Sequence, residues 1–142
     1  MEMLKKRKRH GEIMRIEHAA LWANDLESLK SFYLEYLGGR AGNKYQNPKT
    51  GFSSYFISFD GGARLEIMSS PNVKERIPEP LGFAHIAFEL DGKASVDALT
   101  RRLRDDGFTV VSGPRTTGDG YYESCILDPE KNRVELTCAK SA

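Results

Sequence analysis

The stretch Lys131 to Thr137, KNRVELT, places Glu135 between Val134 and Leu136, and Ala63 to Met68, ARLEIM, places Glu66 between Leu65 and Ile67. Carboxylates are rarely buried inside apolar strands without a partner. In both stretches an Arg, Arg64 or Arg133, stands two residues before the Glu. The question these two segments raise is what each carboxylate is partnered with.

Working outward from them, the hydropathy pattern predicts the same order of elements twice. A strand over 13–23 (IMRIEHAALWA) leads to a helix from Asp25 to Leu37, capped by Asn24 or Asp25 and stopped by Gly38-Gly39. Leu26, Leu29, Phe32, Tyr33, Tyr36 and Leu37 fall on one face of it at helical spacing. Strands follow over about 41–46, 52–59 and 64–69, with NPKTG and DGG as the turns between them. A polar, Pro-bounded connector spans 71–80. The pattern then restarts, with a strand over 81–90 (LGFAHIAFEL) and a helix from Ser95 to Asp106 with Val96, Leu99 and Leu103 on one face. Strands over 108–111, 121–127 and 133–138 complete it. The chain therefore reads as βαβββ, connector, βαβββ, an α+β fold of two tandem modules.

The repeat extends to single residues. From His18 to Glu66 is 48 residues and from His85 to Glu135 is 50. Each His lies in the strand before the helix and each Glu in the last strand of its half. A lone strand His ordinarily bonds a backbone group, and a lone strand Glu ordinarily faces water. The only histidines outside the N-terminal ten residues, however, sit at equivalent places, and so do the two carboxylates.

Side chains alternate along a strand, so His18, Ala20 and Trp22 share one face, and Arg64, Glu66 and Met68 another. His85, Ala87 and Glu89 share a third face, and Arg133, Glu135 and Thr137 a fourth. If the halves pack about a pseudo-twofold axis, these faces converge, and two imidazoles meet two carboxylates. Such a concentration of negative charge calls for a divalent cation, and imidazole with carboxylate suits Zn, Ni, Fe, Co or Mn. Fewer than six protein ligands leaves positions open to water or substrate, as in catalytic metal sites.

Bulk composition fits a single domain of 142 residues, 39% hydrophobic and 29% charged. No run approaches the roughly 18 apolar residues of a membrane helix. The basic start MEMLKKRKRH has no apolar stretch behind it and is not a secretory signal. Residues 1–10 carry five Lys/Arg and one Glu, which is +4; the whole chain is +1, so residues 11–142 carry −3. That balance argues against a nucleic-acid-binding body. The basic cluster itself reads either as a nucleic-acid, membrane-surface or import tail or as a solvated extension, with Met14 as an alternative start. Cys125 and Cys138 match no zinc spacing and read as free thiols of a cytoplasmic protein.

The repeat, the His in IEHAAL and FAHIAF, the Glu in ARLEIM and NRVELT, and the turn DPEKN resemble the vicinal oxygen chelate superfamily over about residues 14–138. That group includes glyoxalase I, bleomycin-resistance proteins, methylmalonyl-CoA epimerase, fosfomycin-resistance enzymes and extradiol dioxygenases. The resemblance implies a flexible extension at 1–13 and one domain at 14–138, with module one at 14–70, connector 71–80 and module two at 81–138. It implies a curved mixed sheet around a metal cleft, one divalent ion held by His18, Glu66, His85 and Glu135, and a cytoplasmic homodimer acting on a small molecule, with the cleft either within one chain or shared between two.

The four-ligand set is similar to that of glyoxalase I, which implies a metal-dependent lyase or isomerase. The metal acts as a Lewis acid on an enolate-like anion, and Glu135 or Glu66 serves as the base. A dioxygenase or epimerase of the same superfamily, or a non-catalytic resistance-type binding protein, remains the alternative. Bacterial glyoxalase I tends to carry Arg and Asn for glutathione where this chain has Trp22 and Ser70, which points to a different hydroxy- or keto-compound. Arg64 and Arg133 are candidates for an anionic substrate group or for ion pairing at strand ends. Trp22, Phe56, Tyr121 and Tyr122 are candidates for a pocket wall or for ordinary core, and the connector and Thr116 to Tyr122 for the rim.

Overall fold

The computed structural model describes residues 15–76, 82–117 and 120–138. The basic segment, the end of the connector, Leu81 and the tip of the 116–122 loop lie outside them. Module one comprises β1 (His18–Trp22), α1 (Leu26–Leu37), β2 (Arg40–Ala41), β3 (Tyr45–Gln46), β4 (Ser53–Ser58) and β5 (Arg64–Ser69). Module two comprises β6 (His85–Leu90), α2 (Lys93–Asp105), β7 (Val110–Thr116), β8 (Tyr122–Leu127) and β9 (Arg133–Cys138).

The two sheets repeat one topology. Module one runs β1-β5-β4-β2, with β3 also on β4, and module two runs β6-β9-β8-β7. In each, the first and last strands are parallel neighbours, and the remaining pairs are antiparallel. The single strand expected over 41–46 is split in two. Ala41 pairs Ile57 and Tyr45 pairs Ser54, so three residues on one side oppose two on the other. The extra residue cannot pair and interrupts the ladder, as a bulge does.

Helix α1 begins where the capping pattern places it. The Asp25 side chain accepts a hydrogen bond from Ser28 N at 3.0 Å, and Gly38 takes the left-handed conformation (φ 67°) that ends the helix. Helix α2 starts two residues before its expected position, behind Gly92 and without a side-chain cap.

Leu26, Leu29, Phe32 and Tyr33 of α1 are buried over Ile57, Leu65 and Ile67, and Val96 and Leu103 of α2 over Ile126, Val134 and Leu136. These residues form one cluster, because the helix-bearing faces of the two modules meet. Ring pairs cross the seam: Phe32–Phe108 at 5.1 Å, Phe59–Phe88 at 5.1 Å and Tyr33–Phe88 at 6.2 Å between centroids.

The DPEKN turn closes the same seam. Buried Asp128 accepts hydrogen bonds from Tyr33 Oη, Asn132 N and Asn132 Nδ2 at 2.8 Å each and from Glu130 N at 2.9 Å. Burial pushes its carboxyl up from the usual range, and these donors oppose the shift. The same environment drives the Tyr33 hydroxyl well above its ordinary pKa, through burial first and the Asp128 charge second. Glu130 Oε1 accepts from Asn24 N and Asp25 N at 2.7 Å each, so a carboxylate of module two caps a helix of module one.

Candidate active site

Parallel pairing of first and last strands creates the same small arrangement twice. In module one His18 is in register with Arg64 and Ala20 with Glu66. In module two His85 is in register with Arg133 and Ala87 with Glu135. The His therefore lies diagonal to the Glu on one sheet face, two residues along the strand. His18 Nε2 is 3.9 Å from Glu66 Oε1, and His85 Nε2 is 3.2 Å from Glu135 Oε2. The imidazoles are about half exposed (43% and 45%) while the carboxylates are mostly covered (19% and 20%), so each pair opens outward through its histidine.

An Ala, the smallest side chain with a Cβ, stands directly opposite each Glu: Ala20 beside Glu66 and Ala87 beside Glu135. Sequence reasoning grouped Ala20 and Ala87 with the histidines but gave them no role. Their common position two residues after each His was the available signal.

The flanking positions differ. Opposite Glu66 on β4 stands Phe56, and opposite Glu135 on β8 stands Cys125. The Phe56 ring meets the His18 ring edge-on at 5.4 Å, and the Arg64 guanidinium lies 4.2 Å from its centre. Arg64 is also forked onto Glu17. Its Nε donates to Glu17 Oε2 at 3.0 Å and its Nη2 to Glu17 Oε1, which holds the Glu17 carboxyl below its usual value. Glu17 is 3.7 Å from His18 Nδ1, so the imidazole of module one lies between two carboxylates. In module two the Cys125 thiol is pushed up, by burial first and by the Glu135 charge second.

The structure brings His18 together with Glu66 and His85 with Glu135. Among the described residues no three His, Cys, Asp or Glu side chains are placed to hold one metal ion, so the two pairs do not meet within this chain. The reason is the shared core. Leu65, Ile67, Val134 and Leu136 alternate with the ligand candidates and face it, which turns Glu66 and Glu135 onto the opposite, outer faces. Arg133 neighbours His85 in the β6–β9 register. Trp22 shares the face of His18 and is 45% exposed, while Tyr121 lies four residues from Cys125, just before β8.

Each pair supplies one imidazole nitrogen and one carboxylate oxygen close enough to touch a common ion, a donor set that fits Zn, Ni, Co, Fe or Mn. Two protein ligands are one short of the three that catalytic zinc sites ordinarily use. One pair alone does not complete such a site.

Comparison with known proteins agrees with this fold. The family described as Glyoxalase/Bleomycin resistance protein/Dioxygenase superfamily matches residues 15–136. An uncharacterised protein of Bacillus subtilis (strain 168), YqjT, is 30% identical over 130 residues, covering 85% of this chain and 96% of its own. The crystal structure of lactoylglutathione lyase from Agrobacterium tumefaciens is 26% identical with a TM-score of 0.63, covering 87% and 92% of the respective chains. Biphenyl-2,3-diol 1,2-dioxygenase 3 of Rhodococcus globerulus is 29% identical over 126 residues, covering 86% of this chain and 62% of its own. With its doubled βαβββ order and a family match over both modules, the chain belongs to the glyoxalase/bleomycin resistance protein/dioxygenase superfamily.

Proposed function

We propose that the protein is a metal-dependent lyase or isomerase, and that its active centre forms where module one of one copy faces module two of a second copy. The observation that carries this reading is the matched pair of His–Glu contacts, 3.9 Å and 3.2 Å, on equivalent strands. Each pair lies on an outer face and each is half of a four-ligand set. A twofold dimer brings unlike halves together and makes two such sets from two chains. His18 and Glu66 come from one copy and His85 and Glu135 from the other.

A divalent ion held there (Zn, Ni, Co, Fe or Mn) supplies Lewis acidity toward adjacent oxygens of the substrate, which lowers the cost of removing the proton next to a carbonyl. Glu135 accepts that proton on a carboxylate oxygen and returns it to the neighbouring carbon, with Glu66 as its counterpart across the centre. Ala20 and Ala87 leave room for the reacting carbons above the carboxylates. Arg64 and Arg133 flank the centre; an anionic substrate group reaching Arg64 would have to displace Glu17. Two unbridged cysteines are in keeping with a reducing, cytoplasmic location.

The test is metal analysis of protein purified without added metal, followed by turnover of the methylglyoxal–glutathione hemithioacetal. One ion per chain with turnover supports the lyase reading. Absence of stoichiometric metal contradicts the four-ligand centre. A second reading, a dioxygenase, is favoured by the likeness to the Rhodococcus diol dioxygenase. Metal with no hemithioacetal turnover but oxygen uptake on a diol would select it.

A further inference from the structure

The ring of His18 stands between two carboxylates, one beside each nitrogen. Glu17 Oε1 is 3.7 Å from Nδ1, and Glu66 Oε1 is 3.9 Å from Nε2. A neutral imidazole carries a single N–H and can serve only one of them; its other nitrogen presents a lone pair. A metal ion binds the bare nitrogen, so the place of the proton decides whether His18 can ligate beside Glu66.

Glu17 is held where it stands by one residue of the neighbouring strand. The Arg64 amide donates to the Glu17 carbonyl at 2.8 Å, Nε donates to Oε2 at 3.0 Å, and Nη2 donates to Oε1. A forked guanidinium–carboxylate pair fixes direction as well as distance, which a single exposed ion pair does not. The guanidinium is itself seated 4.2 Å from the centre of the Phe56 ring, and that ring meets His18 edge-on. The oxygen nearest Nδ1 is Oε1. A carboxylate oxygen has two lone pairs, so Oε1 can accept from Arg64 and take a second bond from His18.

Module two is built differently at this point. The residue before His85 is Ala84. Among the described residues the one carboxylate within 4.0 Å of His85 is Glu135, 3.2 Å from Nε2. Two histidines in equivalent registers are therefore approached by carboxylates from both nitrogens in module one and from Nε2 alone in module two.

We propose that Glu17 is a positioning residue of the centre: it accepts the Nδ1–H of His18 and so keeps Nε2 bare toward Glu66 and the ion. Arg64 serves the centre through Glu17, as the tether that aims its carboxylate. The inference rests on the proposed ligand role of His18. The 3.7 Å separation is longer than a hydrogen bond, and a small turn of the Glu17–Arg64 fork, whose side chains are 56% and 40% exposed, closes it. A partner of this kind, outside the ligand set, fixes the tautomer and orientation of a ligating histidine.

Two-bond proton–nitrogen spectra of the full-length chain, read on the alkaline plateau of the imidazole signals, show which nitrogen of each ring carries the proton. The chain has three histidines, His10, His18 and His85, and His10→Gln and His85→Gln assign the signals. In metal-free protein His18 should carry its proton on Nδ1 and His85 on Nε2. Glu17→Ala should move the His18 proton to Nε2, while Glu17→Gln, which keeps an acceptor oxygen, should leave it on Nδ1. In chelator competition for Zn²⁺, Glu17→Ala should bind about 10–100-fold more weakly than the native chain, and Glu17→Gln should recover most of that loss.

A native His18 with its proton on Nε2, or a tautomer unchanged in Glu17→Ala, overturns the inference. So does a Glu17→Gln chain as weak for zinc as Glu17→Ala, because the effect is then one of charge alone. Failure of the metal-centre reading is seen separately, as a native chain that takes up no zinc; the metal-free spectra still decide the role of Glu17.

Discussion

Phe56 stands opposite Glu66 in module one, and Cys125 stands opposite Glu135 in module two. Around Phe56 the face is crowded: the ring meets His18 edge-on, Arg64 stacks on it, and Glu17 ties Arg64 down. Around Cys125 the face is lower, and His85 approaches its carboxylate more closely than His18 does, 3.2 Å against 3.9 Å. Two modules with one topology thus surround their His–Glu pairs differently, beginning with the residue opposite each Glu. On the proposed reading, module one supplies a held histidine and an apolar wall, and module two supplies the carboxylate that acts as base. The modules also differ in how their helices begin. Helix α1 is capped twice, by Asp25 and by Glu130 of the other module, whereas α2 has no side-chain cap.

The largest expected effect falls on module two. Glu135→Gln keeps shape and an oxygen donor but removes the base, and should lower turnover by roughly 10²–10⁴-fold with most of the metal retained. Steady-state kinetics with metal analysis checks this; if Glu66→Gln alone abolishes turnover, the roles of the modules are reversed.

Next comes the seam. Asp128→Ala leaves the Tyr33 hydroxyl and the amides of Glu130 and Asn132 without their acceptor, and should cost about 2–4 kcal/mol in urea unfolding. The sign of the pH effect follows from the raised carboxyl. The folded state holds this proton more tightly than the unfolded chain, so the charged form costs stability above the folded pKa. That cost is relieved as pH falls through the folded value toward the ordinary 3.8. Asp128→Asn should lack this increment when unfolding midpoints are compared across the acid range. The smallest effect is Glu130→Ala, which removes one of the two caps of α1 and should cost about 1 kcal/mol, read by the same unfolding measurement with turnover little changed.

Much of this molecule is legible in its sequence. The 48- and 50-residue spacings, the two helices and the last strand of each half are set by local patterns, and the structure follows them closely. The break between Ala41 and Tyr45 was not legible, because an extra residue in a ladder depends on the partner strand and not on the segment itself. Strand alternation also identified which residues of one strand share a face; that His18 shares a sheet face with Glu66, and His85 with Glu135, follows from the parallel register of first and last strands. Alternation carries no information on which face meets which. The rings of Phe32, Phe59, Phe88 and Phe108 decide that, by joining the modules through their helix-bearing sides. The role of Glu17 in holding Arg64 escaped because it is one of many charges near a strand end. Asp128 was visible as a turn residue, but its bond to Tyr33, 95 positions away, was not.

The central claim is that each metal centre draws one His–Glu pair from each of two copies. Co-expression of a His18→Ala chain with a His85→Ala chain tests it most directly. A mixed dimer would place both lesions in one centre and leave the other intact. The account predicts that neither variant alone binds metal or turns over substrate, while the isolated mixed dimer holds one ion per two chains and regains about half the activity, as the two-centre symmetry requires. Metal bound at full stoichiometry by a monomer of the native chain, or a mixed dimer as empty and inactive as its parents, would contradict it.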